Sequence, residues 1–292
     1  MPGKNSILRP VALAVLLTIA GCGGPSTTQE PSILVGTISV GMADDAPGFA
    51  LNAIRPTGMD VNVATAIGRE LGLPIAPRPI TSADREPALK RKTATLVIHT
   101  YSITADRNKN GIDFAGPYMV STQALLVRDD NKKLGTVASL KDQTICTVQT
   151  TTGGEVVIPG AIMGKSATIQ PTTRQCVEAV RGGDNAALFT DTLLLYGYVQ
   201  ANPGVFRIIL PGVFGQKQYY GVGLLGNHHA DCVRLNQAIT KYLSTQWRTD
   251  LLSTLPEAAK DFPGGDQSAG DFESTFKPTS EDMERLSCQL RT

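Results

Sequence analysis

The sequence predicts an α/β fold built as two packed units, from its length, its supply of apolar residues and the alternation of strand and helix signals along it. At 292 residues the chain is about twice the ~150 residues of a typical domain, which excludes one small domain. Hydrophobic residues make up 41% and charged residues 18%, enough to fill real cores, and 29 Gly and 18 Pro are close to average usage. Collagen-like and wholly disordered chains are thereby excluded.

The elements follow in order. Residues 33–40 (ILVGTISV) are short and rich in β-branched residues, which suits a buried strand. Residues 60–71 place Val63, Ile67 and Leu71 four apart with Gly72 just after, an amphipathic helix and its C-terminal stop. Strand signals recur at 95–99, 124–128, 144–148, 186–189 and 220–225, and helical stretches at 86–92, 173–181, 191–200 and 230–252. Such alternation argues for parallel sheets covered by helices, with ligands at the carboxyl ends of the strands. After Pro256 the composition shifts to Gly, Asp, Ser and Pro, which predicts an irregular tail until Cys288 fastens it.

The N-terminus reads as a leader rather than as part of the fold. Lys4 and Arg9 give a basic start, and Val11 to Ala20 is an apolar run well short of the ~20 residues that span a bilayer. It ends in Ile19-Ala20-Gly21-Cys22, which resembles the bacterial lipobox. The resemblance implies that residues 1–21 are a lipoprotein signal peptide, that Cys22 is lipidated and anchors the protein to the cell membrane outside the cytoplasm, and that residues 22–32 are a polar tether. An ordinary secretory signal is the competing reading. Loss of residues 1–21 removes two positive charges and leaves 25 basic against 26 acidic residues. The near-balance, with no basic cluster interleaved with aromatics, argues against nucleic acid as a partner.

Of five cysteines, Cys146, Cys176, Cys232 and Cys288 remain after Cys22, an even set in an exported chain, so two disulfides are expected. Three pairings are possible, and the local one, Cys146 with Cys176 and Cys232 with Cys288, keeps each bridge inside one half of the chain. Four buried thiols are the alternative. There is no CxxC, and the histidines are only His99, His228 and His229, so no metal and no cofactor is expected; the His228-His229 pair is expected on an exposed loop.

The most informative run is HTYSITADRNKNGIDFAGPY, residues 99–118. A strand ends at His99, the hydroxyls of Thr100, Ser102 and Thr104 follow, and Arg107 lies one turn beyond Thr104, a helix N-cap candidate. Backbone amides, hydroxyls and a guanidinium converging on one spot suit a carboxylate. Read alone, Arg107 equally suits a capped surface turn.

This run, with Thr100 to Arg107 followed by Ile112-Asp113-Phe114-Ala115-Gly116-Pro117-Tyr118, resembles the signature of family 3 extracellular solute-binding proteins, the amino-acid receptors of ABC importers with the type 2 periplasmic-binding fold. Gly58-Met59-Asp60-Val61, Ser139 to Asp142, Val148 to Thr152, Asp184 to Ala187, Thr190-Asp191, Tyr220 to Gly223 and Trp247 extend the likeness in order over residues 33–256. The resemblance implies that Arg107 clamps the ligand's α-carboxylate, helped by the backbone amides of Ser102 and Thr152 with Thr151 beside it. Thr100 and Ser102 would orient the α-ammonium, and Asp191 would neutralise it. A zwitterion removed from water needs both charges paired. Asp191 alone also reads as a helix N-cap. Thr81-Ser82-Ala83-Asp84-Arg85 resembles the stretch of the glutamate/aspartate-binding branch in which Ser82 and Arg85 would meet a side-chain carboxylate; Arg85 otherwise pairs with Glu86 or Asp84. Residues 45–49 and TYSIT also resemble glutamate-receptor lipoproteins, and Phe49 packs either over the ligand's methylenes or in the core. Asn62, Thr95 and Thr150 depart from the family, which has Asp, Asp and Gly there.

The resemblance also implies two lobes, 33–120 with 226–292 and 126–219, joined by hinge crossovers near 120–126 and 219–225, that close on a ligand between them. The expected protein is a monomeric binding protein, not an enzyme, that delivers glutamate or aspartate to a membrane permease of an ABC importer. A sensor signalling to a membrane partner and a receptor for glutamine or asparagine are the alternatives. Dehydratases and lytic transglycosylases share the fold, but enzymatic action needs a general acid or base over the ligand.

Overall fold

In the computed structural model, which describes residues 1, 3, 31–52, 54–157, 166–261 and 269–289, the first helix, α1 (Met59–Leu71), buries Val63 and Ile67 and ends at Gly72 in the left-handed region. Residues 4–30, with Cys22 and most of the leader and tether, lie outside the described residues. Two five-stranded sheets carry the rest. In sheet 1 the order is β4 (Ile75–Pro79), β1 (Ile38–Met42), β5 (Leu96–Val97), β12 (Gln218–Leu225), β6 (Ile112–Ser121). In sheet 2 it is β11 (Phe206–Ile209), β7 (Gln123–Arg128), β10 (Ala187–Asp191), β8 (Thr144–Val148), β9 (Ser166–Gln170). A short hairpin, β2 (Asp45–Ala46) with β3 (Ala50–Leu51), stands beside sheet 1.

The sheets are mixed, which corrects the expectation of parallel ones. β1 is parallel to β4 and β5, and β8 to β9 and β10, whereas β12 is antiparallel to β5 and β6, and β7 to β10 and β11. The reason is the route of the chain. It leaves sheet 1 along β6, enters sheet 2 through β7 after Thr122, and returns through β12, so both entering strands run against those that lead to the junction. The two connections between the sheets run through Thr122, between β6 and β7, and through residues 210–217, between β11 and β12.

Helices cover the sheets: α1 and α7 (His229–Thr245) pack on one side of sheet 1, and α2 (Arg85–Lys90) sits over Val97 on the other. α5 (Thr173–Gly182) packs on sheet 2, opened by a Thr172/Gln175 capping box and closed at left-handed Gly183. α6 (Thr192–Ala201) follows β10 directly. Alternate strand residues face opposite sides: Leu126, Cys146 and Leu188 enter the main core, while Leu125, Ile145 and Phe189 enter a second cluster.

Several boundaries differ from expectation. β1 begins at Ile38; the stretch before it is tied down differently, the Ser32 hydroxyl and Ile33 N–H donating to the Asp231 carboxylate at 2.6 and 2.7 Å. The expected 230–252 helix breaks at Gln246 into α7 and α8 (Trp247–Thr254), where buried Trp247 donates its indole N–H to the Tyr118 carbonyl at 2.9 Å. Among the described residues the tail is helical rather than irregular, with residues 262–268 lying outside them: α9 (Pro256–Lys260) starts at a proline suited to a first helical position, α10 spans Ala269–Phe276, and α11 (Ser280–Leu286) has a Thr279/Asp282 capping box. Both local disulfides are present, each with Cα atoms 5.6 Å apart, and Cys288 holds α11 against α7 through Cys232. His228 is buried and only His229 is exposed, contrary to the expected loop pair, because α7 starts directly at His229.

Candidate functional site

The carboxyl ends of β1, β5, β8 and β10 meet where the two sheets face each other. They deliver Asp45, His99 with Thr100, Thr151 with Thr152, and Asp191 to one enclosed cavity of about 30 Å³, room for roughly two waters. Ser82, Arg85, Ser102 and Arg107 complete its near wall. A larger depression of about 870 Å³ is lined by Arg128, Lys132 and Lys133 together with Asp130, Asp142 and Asp184, charges of both signs, with Arg128 held by Asp130 and Lys132 by Asp129.

Local sequence explains the near wall. Thr104 caps α3 (Ala105–Lys109), its hydroxyl accepting the Arg107 N–H at 3.2 Å, and this turns the Arg107 side chain inward. Its guanidinium donates to the Ser102 carbonyl at 2.5 Å and to the Thr150 carbonyl at 3.3 Å. Arg85, at the start of α2 after a 3-10 turn over Ser82–Asp84, donates to the carbonyls of Ser82 at 2.9 Å, His99 at 3.5 Å and Thr150 at 2.9 Å. Both guanidiniums also lie over the Tyr101 ring, 4.8 and 4.7 Å from its centre. Only 4% and 7% of Arg85 and Arg107 are exposed. Burial and the neighbouring Arg107 charge lower the Arg85 pKa to about 9.

The far wall carries the opposite charge. Asp191 stands at the N-cap position of α6 but makes no capping bond. Its carboxylate instead accepts the Tyr220 hydroxyl at 2.7 Å and the Gln123 amide at 3.2 Å. Burial raises its pKa to about 6 against those two hydrogen bonds. The Gln123 amide also reaches the Thr152 hydroxyl at 3.4 Å, and Thr151 accepts the Gly154 N–H at 3.2 Å. Beneath Thr100, the buried Asp60 accepts the Thr100 N–H at 2.9 Å and the Tyr118 hydroxyl at 2.6 Å, and burial holds its pKa at about 6. Thr100 and Thr150 adopt positive φ of 41° and 55°, costly for β-branched residues.

Eight of the residues expected to bind ligand therefore line one cavity: Ser82, Arg85, Thr100, Ser102, Arg107, Thr151, Thr152 and Asp191. Phe49 is not among them. It is fully buried, edge-on to Tyr220 at 5.9 Å, because its chain is pinned under α1 by the Asp60 N–H bond to its carbonyl. Asp45, His99, Gln123 and Tyr220 belong to the site and were not singled out. Asp45 lines the cavity and accepts the Arg174 N–H at 3.3 Å.

The model of bacterial extracellular solute-binding proteins, family 3, matches residues 38–275. The glutamate-binding protein GluB of Corynebacterium glutamicum is 32% identical over 257 residues, covering 81% of this chain and 84% of that protein. The glutamine-binding protein of Geobacillus stearothermophilus is 26% identical over 238 residues, covering 73% and 88%. An ancestral arginine-binding protein solved with glutamine superposes with a TM-score of 0.69 at 22% identity, covering 76% of this chain and 98% of that one, a likeness of fold.

Proposed function

This chain belongs to the bacterial extracellular solute-binding proteins of family 3, and on that footing we propose that it captures an acidic amino acid, glutamate or aspartate, between its two lobes for an ABC permease. The carrying observation is the charge balance of the cavity. Two buried guanidiniums face it against one buried carboxylate, Asp191, while the second, Asp45, is only half-buried at its rim and accepts the backbone N–H of Arg174. The surplus of one positive charge suits a ligand with one ammonium and two carboxylates, since buried charge is tolerated only when compensated.

In this reading Arg107 and Ser102 take the α-carboxylate, Asp191 with Thr100 takes the α-ammonium, and Arg85 with Ser82 takes the side-chain carboxylate. The Thr150 carbonyl, which both guanidiniums share, is a neutral acceptor; charged carboxylates make hydrogen bonds about twice as strong and replace it favourably. Lobe 1 is built on sheet 1 with the C-terminal helices and lobe 2 on sheet 2, and they part at Thr122 and residues 210–217 to admit ligand. Binding contributed from both walls favours closure. No covalent step is involved. The leader pattern ending at Cys22 supports a lipid-anchored receptor outside the cytoplasm.

Thermal melting of the protein from residue 23 onward tests the reading. A ligand at ~1,000 times its dissociation constant adds about 4 kcal/mol, a rise of roughly 8–16 °C at this size. Glutamate or aspartate produces that rise and lysine none. A rise with lysine, or none with any amino acid, contradicts the proposal.

A further inference from the structure

His99 carries chemistry that the acidic-amino-acid reading does not use. It stands in the turn after β5, 7% exposed, and lines both the central cavity and an adjoining pocket of about 200 Å³ shared with Thr81, Ser82 and Thr173. Its Nε2 lies 3.1 Å from the Ile80 carbonyl. A carbonyl only accepts, so Nε2 carries the proton and Nδ1 presents a lone pair. Nδ1 is buried and has no hydrogen-bond partner. Burial, with the Arg85 charge beside it, lowers the pKa of the ring to about 3, so the lone pair stays free rather than protonated. The same residue's backbone carbonyl accepts from Arg85 at 3.5 Å, so a guanidinium donor and the imidazole belong to the same wall of the cavity.

A donor next to an acceptor matches a primary carboxamide, whose C=O faces the donor and whose NH2 faces the acceptor. A carboxylate offers acceptors only and leaves Nδ1 unmet. We propose that His99 is a specificity-determining residue that lets the side-chain end of the cleft read a carboxamide as well as a carboxylate, so that the protein binds glutamine alongside glutamate. The inference rests on the preceding reading in one respect, that Arg85 faces the ligand's side chain.

The test is calorimetric titration of glutamate and glutamine into the wild type, His99→Leu and His99→Gln, each checked for an intact unliganded melt. Leucine removes the acceptor, and glutamine keeps one. The wild type binds both ligands, and His99→Leu loses about tenfold in affinity for glutamine relative to glutamate, the worth of one hydrogen bond, which His99→Gln partly restores. An unchanged ratio in folded His99→Leu, or a wild type that binds glutamate and not glutamine, overturns the inference and leaves the acidic-ligand reading standing. A wild type that binds neither overturns both. Should His99→Leu not fold, the wild type decides alone: the γ-methyl ester of glutamate keeps the carbonyl but lacks the N–H donors, and it binds about tenfold more weakly than glutamine. Equal binding of ester and amide overturns the role of Nδ1.

Discussion

Replacing Gly197 by Ala separates closure from folding. Gly197 lies in α6 of lobe 2, and a Cβ built there stands 1.9 Å from the carbonyl oxygen and 2.8 Å from the carbonyl carbon of Pro47, which belongs to the β2–β3 turn of lobe 1. An ordinary contact begins near 3.4 Å, so the two backbones must separate by about 1.5 Å. The same edge carries further cross-lobe bonds, among them those from the Tyr198 hydroxyl to the Asp45 carbonyl at 2.5 Å and from the Arg174 backbone N–H to the Asp45 carboxylate at 3.3 Å. Overpacking of this kind costs about 1–3 kcal/mol. Within lobe 2, by contrast, alanine gains about 1 kcal/mol over glycine in a helix. The closed state alone is penalised, so glutamate affinity falls by roughly 5- to 150-fold while the unliganded melt holds or rises. Titration calorimetry and melting of the variant read both quantities. Unchanged affinity, or a collapse of the unliganded melt, refutes the assignment of this contact to closure.

Further outcomes follow from the geometry. Arg107→Ala abolishes measurable glutamate binding, a loss of at least about a hundredfold, while the unliganded protein stays folded; calorimetry with retained affinity contradicts the carboxylate clamp. Glutamate affinity falls by up to about tenfold per pH unit below the Asp191 pKa of about 6, because a protonated carboxyl no longer pairs with the ammonium. The sign reverses for the unliganded fold: a carboxylate pKa raised from 3.8 contributes stability below that value and loses it as pH rises through about 6, for Asp191 and Asp60 alike. A double Cys232→Ala, Cys288→Ala variant frees α11 and costs about 2–5 kcal/mol, seen as a melting point lower by roughly 5–15 °C; an unshifted melt contradicts a fastening role for the tail. Thr150→Gly relieves a β-branched residue at φ 55° and raises stability by about 1 kcal/mol or less, and a lower melting point contradicts that strain.

The strands that the sequence makes legible are the central ones. β1, β5 and β12 of sheet 1 and β7, β8 and β10 of sheet 2 have neighbours on both sides and read as short β-branched or aliphatic runs. Of the missed strands, β4, β6, β9 and β11 are the sheet edges, and β2 and β3 form the two-residue hairpin. β4 contains Pro77 and Pro79, tolerated there because an edge strand has one side without a ladder; β9 is largely exposed, and Gly116-Pro117 interrupts β6. The near wall of the cavity is similarly legible, because Thr100, Ser102, Thr104 and Arg107 are neighbours in sequence and one helix cap orients them. The far wall is not. Gln123 and Tyr220 reach Asp191 from β7 and β12, 68 and 29 residues away, and no local pattern records that meeting. Phe49 illustrates the converse, an aromatic beside a site motif that tertiary packing takes into the core.

The account stands most directly on calorimetric titration of the unmodified protein from residue 23 onward with glutamate at neutral pH, followed by lysine. It predicts one saturable glutamate site per chain and no heat from lysine. A lysine isotherm, or a flat glutamate trace from folded protein, contradicts a cleft whose buried charge favours a doubly carboxylated zwitterion.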